Sequence, residues 1–534
     1  MFKGIDLWDK KYTSDMVSLR IGTRSFDTYP DLPVNLYEAL CISAKTYPDK
    51  TALSDDNGVT CTFSELQKKT DEFAAYLSVC QNIKKGEQAA ILLYNSIEFA
   101  VSFLSLCKLG AVAVLLPTKF KKNELLALLH KTEARLLICD PDFKDWFDYP
   151  LVLSDSKALS YGLSKYKTSK DAIQFSSPSV TDNAIIMFTS GTTSESKGVL
   201  LKNYNLMHAV KTYQRLLNVT SADCSVIPVP MYHITGLIAL FGLFIYTGGT
   251  LYLHKFFDAG RVLKTVYEEK ITFLHASPTV FSLLLKKKEE FPSLPSLKLL
   301  ACGSANIPPE RLKQIHSWLE HASFRTVYGL TETSSPATIF PADAGTDPNA
   351  GSSGLPIPGS EFKIIGEDGS EVPPYTVGEI LLRGTMVLSE YYHSQTVQPD
   401  EQGWLRTGDL GYFNTDGFLF VSDRKKDMIN RGGEKIWCTD IENELYTLPG
   451  ITDAAVVGIP DDIYGEIPAA AVTLSEGCAL TETQIQEYLR PRIAKYKIPT
   501  KILILDEIPV TKNLKTDKSR IKDLFYTLQK EEKE

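Results

Sequence analysis

Residues 184–199 read Ala184-Ile-Ile-Met-Phe-Thr-Ser-Gly-Thr-Thr-Ser-Glu-Ser-Lys-Gly-Val199. The opening residues form a short apolar run of strand type. The loop that follows crowds hydroxyls, two glycines and one lysine together. Gly191 and Gly198 relieve the steric limits on the backbone. Free amides, the hydroxyls of Ser190, Thr192 and Thr193, and the Lys197 ammonium can then converge on phosphate oxygens. A strand ending in such a loop is built to hold a polyphosphate. It is not the loop of ordinary P-loop kinases and ATPases, which needs Gly, four residues, then Gly-Lys-Ser/Thr. Here lysine precedes the second glycine, and no Ser or Thr follows as a magnesium ligand.

Outward from this loop, helical and strand patterns alternate. Residues 96–109 carry apolar residues at helical spacing, 111–116 read as a short strand, 122–131 as helix and 135–139 as strand. That alternation predicts an α/β fold with layered, largely parallel sheets. Residues 153–183 are rich in Ser and Lys and read as a connector. Residues 234–253 carry no charge and are long enough to span a bilayer. Gly248-Gly249 interrupts them and Thr250-Leu-Tyr-Leu then alternates, so a buried helix followed by a strand is expected, with no integral membrane segment. Phe362-Lys-Ile-Ile and Glu379-Ile-Leu-Leu, joined through Gly366-Glu-Asp-Gly, predict a small β-rich unit. The chain beyond Arg424 is domain-sized. It reads as a helix at 440–446, strands at 454–459 and 469–474, a helix at 483–493 and a strand at 501–505. The boundary is placed within 423–427, giving a large unit 1–423 and a small unit 424–534.

Composition bounds the function. The 534 residues carry a net charge of −8, with 43% hydrophobic and 23% charged residues. That balance is ordinary for a globular chain and argues against generic nucleic-acid binding. Nine cysteines are scattered without a CxxC pair. A zinc site is not expected, and the pattern suits reduced thiols in a cytoplasm. The opening Met-Phe-Lys-Gly-Ile-Asp-Leu-Trp-Asp lacks the apolar stretch of a signal peptide.

Three further blocks carry chemistry. In Thr326-Val-Tyr-Gly-Leu-Thr-Glu-Thr333, Tyr328 offers a flat face for a purine, Thr331 a hydroxyl, and Glu332 a hard oxygen ligand for magnesium. Upstream, Gly303-Ser304-Ala305 is a small-residue turn that lets backbone lie against a ring. In Trp404-Leu-Arg-Thr-Gly-Asp-Leu410, Asp409 is a carboxylate suited to vicinal ribose hydroxyls. The last block is Asp423-Arg-Lys-Lys-Asp-Met-Ile-Asn-Arg-Gly-Gly-Glu434. Read singly, Tyr328 is equally a core tyrosine, Glu332 a helix N-terminal acid, and the basic run a solvated surface.

In this order and spacing the four blocks resemble the adenylate-forming superfamily of acyl-CoA synthetases, peptide-synthetase adenylation domains and luciferases. The likeness covers about residues 36–521. Ser194 and Ser196 stand where that superfamily has glycine and proline. The resemblance implies an N-terminal domain of two α/β sheet units plus a β-barrel-like unit, and a small mobile α+β C-terminal lid. It implies that Ser190, Thr192, Thr193 and Lys197 contact ATP phosphates, and that Ser304, Ala305 and Tyr328 border adenine. Thr331 would touch the α-phosphate, Glu332 hold Mg2+, and Asp409 with Arg424 bind ribose. Lys426 matches the hinge, and Gly432-Gly433 the turn lining the pantetheine tunnel for CoA. Counting from Pro509 places the expected catalytic lysine at Lys515, although Leu514 replaces the usual glycine and Lys512 and Lys518 compete.

Pro230-Met-Tyr-His-Ile-Thr-Gly236 resembles a stretch of acyl- and aryl-CoA ligases in which His233 lines the carboxylate pocket. No acid lies within 228–253 to pair an amino-acid ammonium, so a simple organic acid is favoured. Tyr232, Ile234, Thr235, Ser277, Pro278, Val327, Pro336 and Ala337 are expected to wall the pocket. They are mostly apolar or small, which suits a fatty or aryl acid. The expected reaction is ATP-dependent formation of acyl-AMP followed by transfer to CoA. Loading of a separate acyl carrier protein, or nucleotide binding without catalysis, are the alternatives. Cys302 reads as a small buried residue.

Overall fold

The computed structural model describes residues 1–21, 24–153, 176–189, 197–394, 398–511 and 515–531. Two large sheets form the body of the chain. The seven-stranded sheet holds, among others, Gln88–Leu92, Val112–Leu115, Leu136–Cys139, Asn183–Thr189 and Lys197–Lys202. Its strands are parallel from Leu151–Leu153 through to Asn183–Thr189, where the direction reverses into Lys197–Lys202. The nine-stranded sheet is parallel across Thr51–Asp55, Thr250–Leu253, Cys224–Ile227, Phe273–Ala276, Leu299–Cys302 and Ser323–Tyr328, with antiparallel strands at its edges. Parallel strands covered on both faces read as continuous apolar runs. That explains the fully buried Val112–Leu115 and Phe273–Ala276.

The helix Ile97–Leu109 is capped by the Ser96 side chain and ended by Gly110 at φ +65°. It packs against strands of both sheets. An element enclosed on all sides needs no polar stripe, and all but two of its residues are buried. The uncharged stretch 234–253 resolves as expected into helical turns Thr235–Gly242 and Leu243–Thr247 and the strand Thr250–Leu253, buried in the same core. Among the described residues no helix is long and apolar enough to cross a membrane.

The β-rich unit is a five-stranded antiparallel sheet ordered Phe2–Lys3, Ser360–Ile365, Gly378–Gly384, Leu405–Phe413 and Leu419–Arg424. Residues near the start of the chain are therefore sewn to residues far along it. Phe2 pairs with Phe362, and Trp8 Nε1 donates to Pro356 O at 2.8 Å. Gly4 is obligatory there, since a Cβ would lie 1.8 Å from Ile357 O.

A separate sheet follows, built on the long hairpin Ile451–Asp461 and Gly465–Leu474. Strand alternation sends Ala454 and Val456 into one cluster and Ala455, Val457 and Ile459 into another, so this unit has a core on each face of its own. Its helices are Cys438–Tyr446, Glu482–Leu489 and Lys518–Glu531. The helix expected over 483–493 ends at Leu489, and the chain closes on the helix Lys518–Glu531, whose Ile521 and Phe525 are buried. The expected connector 153–183 lies mostly outside the described residues. Leu153 closes a strand and Asn183 opens one.

The junction between the two bodies is built from short polar contacts. Asp423, in the strand Leu419–Arg424, accepts from Cys438 N at 2.8 Å and so caps the helix Cys438–Tyr446, whose own N-cap residue supplies no side-chain bond. Thr439 bonds to Ser422 O, Lys435 pairs with Glu367, and Arg311 donates to Thr452 O with its guanidinium 5.5 Å from the Tyr446 ring centre. Loss of a helix cap costs about 1 kcal/mol. Asp423→Ala is therefore expected to speed amide hydrogen exchange in the first turn of Cys438–Tyr446 about fivefold, with the two large sheets unchanged.

Candidate active site

The phosphate-loop residues Ser190, Thr192 and Thr193 lie outside the described residues, but both strands that carry the loop are in place. Their register sets Thr189 opposite Lys197 and Phe188 opposite Gly198. Gly198 faces Tyr392 in turn across the edge strand Glu390–Tyr392, where a Cβ would meet Tyr392 at 3.2 Å. This edge strand brings in a residue that no motif announced. The Tyr391 hydroxyl donates to Glu332 Oε1 at 3.0 Å, and Lys197 Nζ lies 5.3 Å from the centre of the same ring. One aromatic side chain thus joins the lysine of the first block to the acid of the second.

Glu332 sits in the short 3-10 turn Thr331–Thr333, held by Leu388 N donating to its carbonyl at 2.8 Å. Burial pushes the Glu332 carboxyl above its usual range, with the Tyr391 hydroxyl acting against that rise. Asp409 is also raised by burial, against the pull of Arg424. It accepts from the Tyr328 hydroxyl at 2.8 Å, and Arg424 Nε stands 3.5 Å from its other oxygen. Asp409 and Arg424 face each other across paired strands. The second, third and fourth blocks therefore meet at Asp409.

Lys515 comes to the same place from the far end of the chain. Its backbone is held by Thr511 N donating to Lys515 O at 2.6 Å and by the Val510–Thr516 bridge. Solvent reaches the residue, yet protein surrounds its ammonium on most sides. That confinement, aided by Arg424, lowers its pKa to about 8 against the opposing attraction of Asp409 and Glu332. Of its competitors, Lys518 does not share the position. Lys518 pairs with Glu442 at 3.4 Å, beneath the junction and near Asp423 and Asp427, and Lys512 lies outside the described residues.

Beside this cleft the Gly303-Ser304-Ala305 turn leaves the strand Leu299–Cys302. Gly303 lies so close to Val327 that a Cβ would meet its carbonyl at 2.9 Å, and Ser304 adopts φ +73°. Ser304 and Ala305 are exposed, and Ser304 Oγ lies 3.4 Å from Thr235 Oγ1. That contact links the turn to the Pro230–Gly236 stretch. There His233 N donates to Pro230 O at 3.1 Å, and Tyr232 and Ile234 are buried at 5% and 7% exposure. Ser277 caps the helix Pro278–Leu285, and Ala337 N donates to Tyr328 O, placing Pro336 and Ala337 against the second block. Cys302 is buried and its thiol pushed up by that burial, as an inert cysteine should be. Gly432 and Gly433 are exposed on the far unit at φ +60° and +97°. A Cβ on Gly433 would meet nothing. Lys426, in the linking turn, has its ammonium pKa lowered by burial.

Among the described residues no group of three His, Cys, Asp or Glu side chains converges to hold a metal ion by itself. One half-buried carboxylate, Glu332, close to the hairpin that carries Lys197, has the hard oxygen chemistry of a magnesium ligand, and such an ion takes its remaining oxygens from phosphates and water.

Residues 41–392 match the model of the AMP-binding enzyme family, and residues 440–515 that of the AMP-binding enzyme C-terminal domain. The chain is 33% identical to a 2-succinylbenzoate–CoA ligase of Bacillus velezensis, over 90% of this chain and 96% of that one. Among solved structures it resembles the o-succinylbenzoate CoA synthetase of Bacillus subtilis in complex with its acyl-adenylate intermediate, with a TM-score of 0.79, 30% identity, and coverage of 91% and 98%. It also resembles ATP-bound MatB of Rhodopseudomonas palustris, with a TM-score of 0.83, 25% identity, and coverage of 92% and 99%.

The crowding at Lys515 is directly measurable. Competitive labelling with an amine reagent should find this amine titrating near pH 8. Arg424→Gln removes a like charge, so it should raise that value. An unchanged titration in the variant would mean that the two cations do not share the cleft.

Proposed function

The chain belongs to the AMP-binding enzyme family, and we propose residue roles and a substrate class on that footing. The activity is that of an ATP-dependent carboxylate–CoA ligase, which forms acyl-AMP with release of pyrophosphate and then passes the acyl group to CoA. The observation that carries the assignment of roles is the convergence of Lys515, Glu332, Asp409 and Arg424 on one cleft.

A carboxylate resists attack because a nucleophile must add charge to an anion and expel oxide. In the first step it is itself the nucleophile. Its oxygen bonds to the α-phosphorus of ATP while the bond to the β-phosphate oxygen breaks and pyrophosphate leaves. No general base is required, since the acid is already ionised. Ser190, Thr192, Thr193 and Lys197 hold the phosphates, and Thr331 contacts the α-phosphate. Ser304, Ala305 and Tyr328 border the adenine, while Asp409 and Arg424 hold the ribose. Magnesium, when bound at Glu332, supplies charge neutralisation on the phosphates. The Lys515 ammonium meets the charge that develops between the acid and the α-phosphate. In the second step the CoA sulfur attacks the acyl carbonyl, the bond to AMP breaks, and the thiol proton is lost to solvent. His233 borders the reacting carboxylate in both steps. Turning of unit 424–534 about Lys426 relative to 1–423 brings Gly432-Gly433 to the incoming arm.

The acid is proposed to be aromatic. Support comes from the mostly apolar, small-residue walls at Tyr232, Ile234, Val327, Pro336 and Ala337 and from relatives named for 2-succinylbenzoate. CoA is preferred over a carrier protein as acceptor on the same relatives. A cytoplasmic setting accords with nine free cysteines.

A pyrophosphate-exchange panel of aryl and aliphatic acids, begun with 2-succinylbenzoate and followed by CoA saturation kinetics, tests the reading. Exchange with no acid of either kind would refute it. Lys515→Ala should lower adenylate formation by about a hundredfold to a thousandfold, while thioester formation from supplied acyl-AMP persists. Equal loss of both half-reactions in a folded variant would remove Lys515 from its role.

A further inference from the structure

Asn95 lies in the link between the strand Gln88–Leu92 of one large sheet and the helix Ile97–Leu109. It belongs to none of the sequence blocks. Its side-chain amide is nonetheless used three ways. Nδ2 donates to Val229 O at 3.1 Å and to His254 O at 3.2 Å, and Oδ1 accepts from Met231 N at 2.7 Å. Two carbonyls on one side and an N–H on the other admit a single orientation of the amide.

Val229 and Met231 flank Pro230, whose carbonyl accepts from His233 N at 3.1 Å. Gly236 closes the same turn, with room for a Cβ denied by Pro230 O at 2.3 Å. Met231 is fully buried, so its side chain anchors the turn while its backbone answers to Asn95. His254 follows the neighbouring strand Thr250–Leu253 of the other large sheet. The amide thus spans the two sheets at the root of the loop that presents His233.

We propose that Asn95 is a positioning residue for the acid half of the site, acting through the 229–236 turn and His233. This rests on the reading of the chain as a carboxylate–CoA ligase. Aspartate keeps the acceptor for Met231 but sets a carboxylate against two carbonyls. Serine keeps one donor only. Small misplacements of a positioned group lower rates by as much as about a hundredfold.

The test combines kinetics with exchange. Asn95→Ala should lower kcat/KM for the acid in pyrophosphate exchange about 10–100-fold, with the dissociation constant for ATP changed less than about twofold. In a His233→Ala background the same substitution should lower it little further, because the two act through one turn. Hydrogen exchange at the Met231 and His233 amides should accelerate while both sheets keep their protection. Asn95→Ser, should the alanine variant not fold, is expected to give the same pattern in weaker form. Losses that add to those of His233→Ala, a parallel loss of ATP affinity, or unaltered exchange at Met231 would each make Asn95 a mere inter-sheet tie. The exchange readout needs no turnover, so absence of ligase activity towards every acid would count against the proposed function and not against this placement.

Discussion

Two carboxylates that burial holds partly against ionisation, Asp409 and Glu332, depend on cations delivered from other parts of the chain. Arg424 stands at the end of the strand facing Asp409, and Lys515 arrives from the closing segment. Buried charge is tolerated only when compensated. One part of that compensation comes from the sheet that holds Asp409 and the other, Lys515, from the second unit. The same constraint explains the crowded ammonium of Lys515, which suffers from confinement and from Arg424 while drawing on both acids.

The junction that holds this arrangement is polar and sparse. The Asp423 cap, Lys435 with Glu367 and Arg311 on Thr452 are its main contacts, and each unit keeps its own apolar core. Interfaces of that kind permit relative motion of the bodies they join. Lys518 and Glu442 lie beneath it, with burial of Lys518 outweighed by the acids around it. The second unit thus keeps its own apolar clusters while borrowing a helix cap from the first.

How far the chain could be read in advance follows from where each signal sits. Contiguous signals were plain. The strand ahead of the loop at 189–199, the buried strands, and the interruption at Gly248-Gly249 each declare themselves within a few residues, whereas the return strand Lys197–Lys202 does not. Counting from Pro509 pointed to Lys515, whose ammonium does lie near Asp409 and Glu332, while Lys518 is drawn away by a contact with Glu442 that spacing cannot show. Tyr391 and Asn95 were missed for a related reason. One is a tyrosine on an edge strand and the other an asparagine before a helix cap, both commonplace in sequence. Their partners, Glu332 and the Met231 turn, become neighbours only when strands from distant segments pair. The folding of the final basic stretch into a helix was likewise hidden, because its apolar face needs Ile459 and Ala469 opposite it.

The pairing of Phe2 with Phe362, locked by Gly4 under Ile357, has a bearing on how the molecule is made. During translation the opening strand has no partner until several hundred later residues have left the ribosome. Long-range β pairing of this kind is slow and leaves an unpaired edge exposed meanwhile. The third sheet must be among the last parts of the first body to close. It is also the sheet that carries Asp409 and Arg424, so a nascent chain acquires that buried carboxylate and the cation beside it only once its earliest residues have found their place.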